Sequence, residues 1–303
     1  MPDIALILNP NAGSADQADS LRATVAARQD VALFETRDPG DARKLAQRAV
    51  ANGTKRVIAG GGDGTINEIV NGLVLDGRAS IPLGIVPLGT GNDLARTLAL
   101  PTEPNAAFQL ALTGRPRALD LIAAETEGRT HYGANVASGG FSGQVDEVLS
   151  EELKATWGPL AYLLGAAKIL PVIATYETRI QFEDEASERI EALNVVVANG
   201  RTIGGGKGIA PTANPEDGWL DVVVVREGSA IAWATVAARL VAGTILTSDL
   251  VSHRRARTVR IESRPGMWFN LDGELLTKQA ITFRCLPAAL PCIVGPDYRP
   301  APD

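Results

Sequence analysis

A glycine-rich segment near residue 60 constrains the fold more than any other feature of this sequence. Residues 59–68 run Ala-Gly-Gly-Gly-Asp-Gly-Thr-Ile-Asn-Glu and begin at the last residue of the predicted strand 56–59. Apolar side chains then recur at helical spacing, at Ile66, Ile69 and Leu73. The pattern predicts a strand, a tight turn and a helix with unobstructed N-terminal N–H groups, an arrangement that binds anions.

The same segment does not match the common nucleotide-binding templates. It has neither the Gly-Lys-Ser/Thr of a Walker A loop nor the GxGxxG spacing of dinucleotide-binding folds. Asp63 is informative, because a carboxylate beside a phosphate is repulsive unless a cation lies between them. With a nucleotide phosphate as the anion, Asp63 predicts Mg²⁺; the alternative is an Asp that caps the helix N-terminus.

Two further loops rich in turn-forming residues follow other predicted strands. Residues 9–13 (Asn-Pro-Asn-Ala-Gly) come after strand 4–8, and residues 87–95 (Pro-Leu-Gly-Thr-Gly-Asn-Asp-Leu-Ala) come after strand 83–86. Up to about residue 122, such apolar runs alternate with helical segments, which is typical of parallel βαβ units. Because ligands bind at the carboxyl ends of parallel strands, the three loops are expected to form one site.

The second half of the chain has a different character. Long β-rich segments are expected there at 175–182, 190–198, 220–225, 258–261 and 280–285, with helices at about 158–170 and 229–242. The prediction is an α/β protein with a Rossmann-like parallel α/β domain at 1–125 and a mostly antiparallel β-sandwich domain at 126–303. No low-complexity linker separates them, so the cleft between them is the expected active site.

Composition limits the function classes. A net charge of −6 and a pI near 5.2 disfavour a nucleic-acid partner, which clustered Lys and Arg would bind. Residues 1–8 lack the basic start of a signal peptide and fit a first strand, so a cytoplasmic protein is expected. No run supplies the roughly 20 clean apolar residues of a spanning helix. Cys285 and Cys292 lack metal-ligand spacing and are expected to be small buried hydrophobic side chains.

The three loops together carry a resemblance to a known family. Asn-Pro-x-x-Gly at 9–13, Gly-Gly-Asp-Gly-Thr-Ile-Asn at 61–67 and Pro-Leu-Gly-Thr-Gly-Asn-Asp at 87–93 resemble the diacylglycerol kinase catalytic family, whose bacterial members are soluble lipid kinases. The Gly-Gly-Asp-Gly element is shared with NAD kinases and phosphofructokinases, whereas the third loop favours the lipid branch. The resemblance continues through Gly-Gly-Gly at 204–206, Asp-Gly-Trp-Leu-Asp at 217–221 and Asn-Leu-Asp-Gly-Glu at 270–274.

The resemblance implies roles for individual residues, with ATP and Mg²⁺ as cofactors. It implies a structural Mg²⁺ site in the second half, held by Asn214, Asp217 and the carbonyl of Trp219, in addition to the Asp63 argued from its charge. It also implies ATP contacts from Asn9, Pro10, Asn11, Ala12, Gly13, Thr36, Gly61, Gly62, Asp63, Gly64, Thr65, Ile66, Asn67 and Thr90.

The segment at 270–274 supplies carboxylates for the chemical step. Direct phosphoryl transfer to a lipid hydroxyl requires a base that takes its proton. By resemblance the base is Glu274; Asp272 is either an alternative base or a partner that orients the base or the metal. The local sequence alone also fits a Leu-Asp-Gly-Glu hairpin that merely joins two strands.

Two other features keep two interpretations each. Asp93 is a candidate for binding Mg²⁺ or the lipid headgroup, and equally for capping the helix that begins near Leu94. The glycines at 204–206 with Lys207 offer charge to a phosphate or form a bulged β connection.

Contact with a membrane lipid is expected from two segments. Residues 157–170 form an apolar helical pattern that fits a buried helix or the wall of an acyl-chain pocket. The basic run at 253–257, with Arg260 beyond it, fits either anionic headgroups at the inner face of the membrane or a solvated strand edge.

The function expected from these features is a lipid kinase that transfers the γ-phosphate of ATP to a hydroxyl of diacylglycerol, phosphatidylglycerol, ceramide or a related lipid. The alternatives are an NAD kinase-like phosphotransferase and, from another class, a non-catalytic nucleotide- or lipid-binding regulator. ATP and a membrane lipid are the expected partners, with peripheral membrane contact; the sequence leaves a homodimer open.

Overall fold

The computed structural model describes residues 2–140 and 175–301, and its N-terminal part is a parallel sheet covered by helices. The strand order is β6-β3-β1-β2, all parallel. The elements of this part are β1 (Ile4–Leu8), α1 (Ala15–Ala26), β2 (Val31–Glu35), α2 (Asp41–Ala51), β3 (Arg56–Gly61), α3 (Asp63–Leu73), β4 (Val74–Leu75), β5 (Arg78–Ala79), β6 (Leu83–Pro87), α4 (Asp93–Thr97) and α5 (Pro104–Thr113).

Both faces of this sheet are buried, which explains why its strands are continuous apolar runs. Along β1, Ala5 and Ile7 pack in the cluster that contains α2 and α3. Leu6 and Leu8 point the opposite way and pack with α1 and α5. The alternation follows from the two-residue period of a strand. Because β1, β3 and β6 are parallel, the loops that follow them lie on one edge of the sheet.

The second part is mostly antiparallel and encloses its own apolar core. Strands β17, β9, β11, β10, β16 and β19 lie side by side in that order, and β14 pairs with β11 and β15. The elements are β7 (Pro116–Thr126), β8 (Arg129–Gly133), β9 (Val136–Gly140), β10 (Tyr176–Phe182), β11 (Glu188–Ala198), β12 (Thr202–Ile203), β13 (Lys207–Gly208), β14 (Leu220–Arg226), α6 (Ala230–Val241), a 3₁₀ turn (Ile245–Thr247), β15 (Val251–Ala256), β16 (Thr258–Arg264), β17 (Phe269–Leu271), β18 (Glu274–Thr277) and β19 (Ile281–Ile293).

The long strand β19 joins the two parts. It pairs with β7 and β16 in antiparallel fashion, and Cys292 lies beside Leu83 of the parallel strand β6. Its register against β7 shifts between Leu286 and Leu290. The buried carboxylate of Asp120 on β7 accepts the N–H of Ala288 in this irregular stretch, at 2.8 Å. Strand pairing is therefore continuous from the antiparallel part to the parallel sheet through β19.

The fold class predicted from the sequence is confirmed, as is the helix expected near 229–242. The helix expected at 158–170 lies outside the described residues. The division at residue 125 falls inside β7, which pairs with β19 and β8, and it stays a prediction. Cys285 and Cys292 are buried in the apolar clusters, as expected. Among the described helices none has both the length and the hydropathy needed to span a bilayer.

Candidate active site

The three glycine-containing loops meet at the carboxyl edge of the parallel sheet. A Cβ on Gly13 would lie 2.4 Å from the carbonyl oxygen of Leu88, and a Cβ on Gly89 would lie 2.6 Å from the Cα of Gly62. These separations are shorter than side chains allow, so the loops touch through bare backbone. The convergence predicted from strand order is therefore present in the structure.

Side chains reinforce the contact between the first two loops. Asn9 Nδ2 donates to Thr65 Oγ1 at 3.1 Å, while Asn9 Oδ1 accepts the N–H of Asn11 at 3.0 Å. Thr36 is buried at the end of β2 and its N–H donates to the carbonyl of Leu8. Thr90 is exposed on the third loop. The residues predicted to contact ATP thus lie along one edge, and their role stays a prediction.

The N-terminus of α3 is open, which is unusual for a partly buried helix end. Its N-cap is Gly62, which has no side chain to accept the first N–H groups. The neighbouring helix α2 begins at another glycine, Gly40, but there Glu68 accepts the N–H groups of Gly40 and Ala42 at 2.8 and 3.1 Å. Of the N-termini of α2 and α3, that of α3 is thus the one that retains backbone N–H donors for an anion.

Asp63 occupies the first turn of α3 in a crowded acidic environment. Its Oδ1 accepts the N–H of Asp93 at 3.0 Å. Burial, and then the negative charges of Asp93 and Asp272, raise the pKa of Asp63 to about 6. The side chain therefore does not act as a simple helix cap, since its carboxylate is poorly solvated and repelled by its neighbours.

This environment suits a divalent cation brought by a nucleotide. The backbone N–H groups of Asp93 and Asn92 offset the burial of the Asp63 carboxylate only in part, and a positive charge there would relieve the repulsion from Asp93 and Asp272. No group of three His, Cys, Asp or Glu side chains in 2–140 and 175–301 is placed to hold a metal by itself. Asp63 thus fits the role of one protein ligand to an ion whose other ligands are phosphate oxygens and water.

Asp93 ties the third loop to the second half of the chain. Its carboxylate accepts the N–H groups of Gly205 and Gly206 at 3.0 and 2.7 Å, and its carbonyl accepts the hydroxyl of Thr202. The side chain does not cap α4, whose N-cap Asn92 also makes no capping bond. Each carboxylate oxygen accepts one N–H group in this link, and the predicted headgroup or metal role of Asp93 stays a prediction.

The glycines at 204–206 form the turn of the β12–β13 hairpin. All three have positive φ, at 61°, 83° and 98°, a conformation that favours glycine. The N–H groups of Gly205 and Gly206 donate to the Asp93 carboxylate, and Lys207 Nζ donates to the carbonyl of Gly204. Of the two interpretations offered by the sequence, the β connection is the one observed, and its amides hold a carboxylate.

Asp272 points into the same region from the β17–β18 hairpin. Asp272 and Gly273 have φ of 49° and 89°, as a two-residue type I′ turn requires. The carboxylate accepts the N–H groups of Ala134, Asn135 and Val136 at 2.8, 3.2 and 2.8 Å. Asn67 Nδ2 on α3 lies 3.5 Å from Oδ2. Burial raises the pKa of Asp272 although these hydrogen bonds favour its ionised form.

Glu274 differs from Asp272 in every respect that bears on its chemistry. It begins β18, opposite Leu271, and its side chain is exposed. It has no hydrogen bond or ion pair with the described residues. Asp272 is therefore held in place by the fold, whereas Glu274 is free to reorient toward a bound molecule.

The residues predicted for the second metal site have other partners. Asn214 Oδ1 accepts the N–H of Glu216 and Asp217 Oδ1 accepts the N–H of Trp219, both at 3.0 Å. The second oxygen of Asp217 is ion-paired with the guanidinium of Arg255, which also lies 5.6 Å from the Trp219 ring centroid. In this arrangement Asp217 is held by protein partners, and the metal role of the three residues stays a prediction.

Three residues at the site gave no interpretable signal in the sequence. Asn71 exchanges hydrogen bonds with the backbone N–H and C=O of Tyr132, at 3.0 and 2.7 Å, and lies one helical turn beyond Asn67. Asp120 accepts the N–H of Gly218 at 2.7 Å and so fixes the turn that carries Asp217. Glu68 caps α2. The spacing of Asn67 and Asn71 at i and i+4 was the one available hint, because it places both on one helix face.

Comparison with known proteins supplies the family. Residues 3–124 match the model described as "Diacylglycerol kinase catalytic domain", and residues 135–294 match the "YegS C-terminal NAD kinase beta sandwich-like domain". The chain belongs to the diacylglycerol kinase family. Relatives named "Probable lipid kinase YegS-like" are 35% identical in Xanthomonas euvesicatoria (92% of this chain, 93% of the relative) and 36% identical in Pseudomonas aeruginosa strain PAO1 (90% and 88%).

Solved structures agree with this family assignment. A diacylglycerol kinase from Bacillus anthracis superposes with a TM-score of 0.79 at 28% identity and covers 97% of each chain. An NAD kinase from Archaeoglobus fulgidus in complex with ATP superposes with a TM-score of 0.55 at 13% identity, over 95% of this chain and 92% of that one. The second likeness shows that diacylglycerol kinase family members share this two-part fold with NAD kinases.

Proposed function

We propose that this protein transfers the γ-phosphate of ATP to a hydroxyl of a membrane lipid. The observation that carries the proposal is the meeting of Asp272 with α3, where a carboxylate hairpin of the second half touches Asn67 beside the open helix N-terminus. The N–H groups proposed to bind a phosphate and the hairpin that carries the candidate base thus lie near each other, as phosphoryl transfer requires. Family membership supports the lipid as acceptor.

ATP binds, in this proposal, along the loops after β1, β3 and β6. The N–H groups at the start of α3 receive a phosphate, and Asn9 and Thr65 stay hydrogen-bonded to each other and shape the pocket wall. Mg²⁺ accompanies the nucleotide and supplies charge neutralisation on the phosphates. Asp63, in its ionised form, is the side chain that holds the metal nucleotide at this end of the cleft.

The two hairpin carboxylates divide the remaining work. Glu274 takes the proton from the lipid hydroxyl, because it is unpaired and able to approach an acceptor at the cleft mouth. Asp272 is a positioning residue: its three backbone hydrogen bonds fix the hairpin relative to residues 134–136. Its contact with Asn67 then sets the distance between Glu274 and the phosphate-binding helix.

The test is transfer of labelled γ-phosphate from ATP and Mg²⁺ into a lipid panel in mixed micelles. The panel contains diacylglycerol, phosphatidylglycerol and ceramide, with NAD as a soluble acceptor in a parallel reaction. Label in one lipid class, abolished in Glu274→Gln, would establish the reaction and the acceptor. Arg189→Gln is the matched control, because Arg189 is an exposed sheet residue whose ion-pair partner among the described residues is Glu177, at 3.5 Å.

The other outcomes contradict the proposal in different ways. Label in NAD alone would assign the chain the reaction of its fold relative from Archaeoglobus fulgidus. Nucleotide binding without label in any acceptor would favour a regulator that keeps the fold without turnover. A cytoplasmic protein acting at the inner membrane face is the setting that the lipid reaction requires.

A further inference from the structure

The outer face of α6 is the most conspicuous apolar surface of the described residues. Ile231 is 81% exposed and Val241 is 62% exposed, at opposite ends of the helix. Between them Ala234, Thr235 and Ala238 are also exposed, at the spacing of one helix face. We call the face formed by these five residues the α6 stripe.

The stripe is held rigidly by the inner face of the same helix. Val236 is buried, and Trp233 and Leu240 pack beside it against the cluster on β11 and β14. Ser229 caps the helix by accepting the N–H of Ala232 at 3.2 Å. The hydroxyl of Thr235 donates to the carbonyl of Ile231, so Thr235 adds little polarity to the stripe. The exposed apolar face thus belongs to a well-formed helix, not to a frayed end.

The charged side chains of the helix and of the hairpin at its C-terminal end are basic. The helix contains no acidic residue, and its single charged side chain is Arg239. Its C-terminal end abuts the β12–β13 hairpin, where a Cβ on Gly208 would lie 3.4 Å from the Cα of Gly243. That hairpin carries Lys207, and its Gly206 lies against the side chain of Arg96.

Lys207 and Arg96 are available to an external anion. Neither forms an ion pair with a carboxylate in the described ranges, and each donates only to a loop carbonyl, Lys207 to Gly204 and Arg96 to Gly91. The basic run on β15 is different, because Arg254 is paired with Glu185 and Arg255 with Asp217. Arg257 and Arg260 beyond it also lack an ion pair in the described ranges, so the surface beside α6 is distinguished by its exposed apolar stripe next to the unpaired cations.

We propose that the α6 stripe, with Lys207 and Arg96 at its end, is the surface that docks on an anionic phospholipid bilayer. Apolar side chains on one face of a surface helix and flanking cations are the features that bind the headgroup boundary. The surface leads directly to the site, because the hairpin that carries Lys207 holds the carboxylate of Asp93. The inference rests on the proposed function, for which it supplies the orientation on the membrane.

The overall charge of the protein sharpens this orientation. At a net charge of −6, the protein as a whole is repelled by an anionic bilayer. A face with apolar side chains and unpaired cations is then the one that approaches. Docking by this face would bring the β12–β13 hairpin and the cleft mouth toward the lipid surface.

The experiment is vesicle flotation without nucleotide, so that it does not depend on turnover. The full chain is mixed with vesicles of phosphatidylglycerol and phosphatidylcholine, or of phosphatidylcholine alone. We expect wild-type protein to float with the anionic vesicles and the double variant Ile231→Asp/Val241→Asp to partition at least about tenfold less. Lys207→Gln is expected to weaken binding to anionic vesicles about fivefold and to leave binding to neutral vesicles unchanged.

Leu75→Asp is the matched control. Leu75 is 61% exposed, on the β4–β5 hairpin beyond the end of α3 opposite the glycine loop, and its variant should float like the wild type. Far-UV circular dichroism and melting temperature verify that each variant is folded. Phosphorylation of a short-chain lipid dispersed without vesicles should be equal in the wild type and the double variant. If neither protein phosphorylates this lipid, the proposed function is refuted, while the flotation result still tests the docking surface.

Several results would overturn the docking surface. Wild-type protein that does not float with anionic vesicles, or a double variant that floats equally well, would do so. Sedimentation velocity supplies a further arm: a wild-type dimer that the double variant converts to monomer, with flotation unchanged, would assign the α6 stripe to a second copy of the chain.

Discussion

At the scale of single residues, the active site is built from carboxylates that the fold treats unequally. Asp93, Asp272 and Asp63 each accept backbone N–H groups, and Asp63 in addition lies near the negative charges of Asp93 and Asp272. Glu274 is exposed. The four acidic side chains thus have different environments, because each has a different set of hydrogen-bond donors.

Replacing Asp63 with Asn should stabilise the protein and impair its activity. The folded state raises the pKa of Asp63 to about 6, above its usual 3.8. The contribution of protonated Asp63 to the free energy of unfolding is therefore fully present at low pH and is lost as pH rises through about 6. Near neutral pH the ionised carboxylate therefore costs up to about 3 kcal/mol, which Asp63→Asn removes. Urea unfolding at about pH 7.5 and about pH 4 should show a higher free energy of unfolding for the variant than for the wild type only at the higher pH.

The same side chain predicts a pH limit and a metal effect. Phosphoryl transfer should fall as pH drops through about 6, because protonated Asp63 no longer attracts the metal nucleotide. Mg²⁺ with a non-hydrolysable ATP analogue should raise the melting temperature of the wild type more than that of Asp63→Asn. Equal shifts in the two proteins would contradict a cation contact at Asp63.

Substitutions in the β17–β18 hairpin should separate activity from stability. Glu274→Gln changes an exposed side chain, so stability should stay within about 0.5 kcal/mol while turnover falls about 10²- to 10⁴-fold through loss of the base. Asp272→Asn turns an amide NH₂ toward backbone N–H donors, so this variant should lower the free energy of unfolding by about 1–3 kcal/mol as well as impair turnover. Normal turnover in Glu274→Gln would transfer the role of base to Asp272.

At the scale of elements, the site depends on how closely the loops after β3 and β6 approach. Gly62 and Gly89 touch through backbone, so any side chain at 89 separates the loops. The consequence reaches the metal position as well, since the loop after β6 supplies the N–H that fixes Asp63.

Gly89→Ala should therefore impair activity by displacing one loop from the other. Its Cβ would lie 2.6 Å from Gly62 Cα, a separation that requires backbone movement. We expect a rise in KM for ATP of about tenfold or more, since a 1 Å displacement can cost on the order of 100-fold. Gly64→Ala is the stability control: nothing lies within 4 Å of its Cβ, and alanine in a helix gains up to about 1 kcal/mol. An unchanged KM in Gly89→Ala would contradict the close approach.

At the scale of the whole molecule, β19 makes the two halves one cooperative structure. It is hydrogen-bonded to β7, β16 and β6, and Asp93, Asn67 and Asn71 add links across the cleft. The parallel sheet and the antiparallel part therefore share backbone hydrogen bonds, so neither opens without disturbing the other.

Unfolding should accordingly proceed in one transition. The four tryptophans all follow residue 126, so fluorescence reports the second half, while far-UV circular dichroism reports the entire chain. The two signals should give the same midpoint in urea. An N-terminal part that melts separately would appear as a circular dichroism change without a fluorescence change, and would support a division near residue 125 into independent units.

The fold could be predicted from local patterns because those patterns arise from burial. The strands of the parallel sheet are apolar on both faces, and glycines mark their carboxyl ends, so strand positions, the order of βα units and the site edge were all legible. The glycine loops could be located for the same reason, since backbone contact such as that of Gly89 with Gly62 tolerates no side chain. The sequence by itself thus determined the architecture, the edge that forms the site and the carboxylates available there.

Only the tertiary structure decided what each polar side chain does. Asp93 and Asp217 appeared equally available from the sequence, yet one holds a glycine hairpin and the other an arginine 38 residues away. Asp120 showed no pattern, and the spacing of Asn71 from Asn67 indicated only a shared helix face, because the partners of Asp120 and Asn71 are backbone groups distant in sequence. Hydrogen-bond partners distant in sequence leave no local periodicity, so the charge state and the freedom of each carboxylate emerge only when the two halves are assembled.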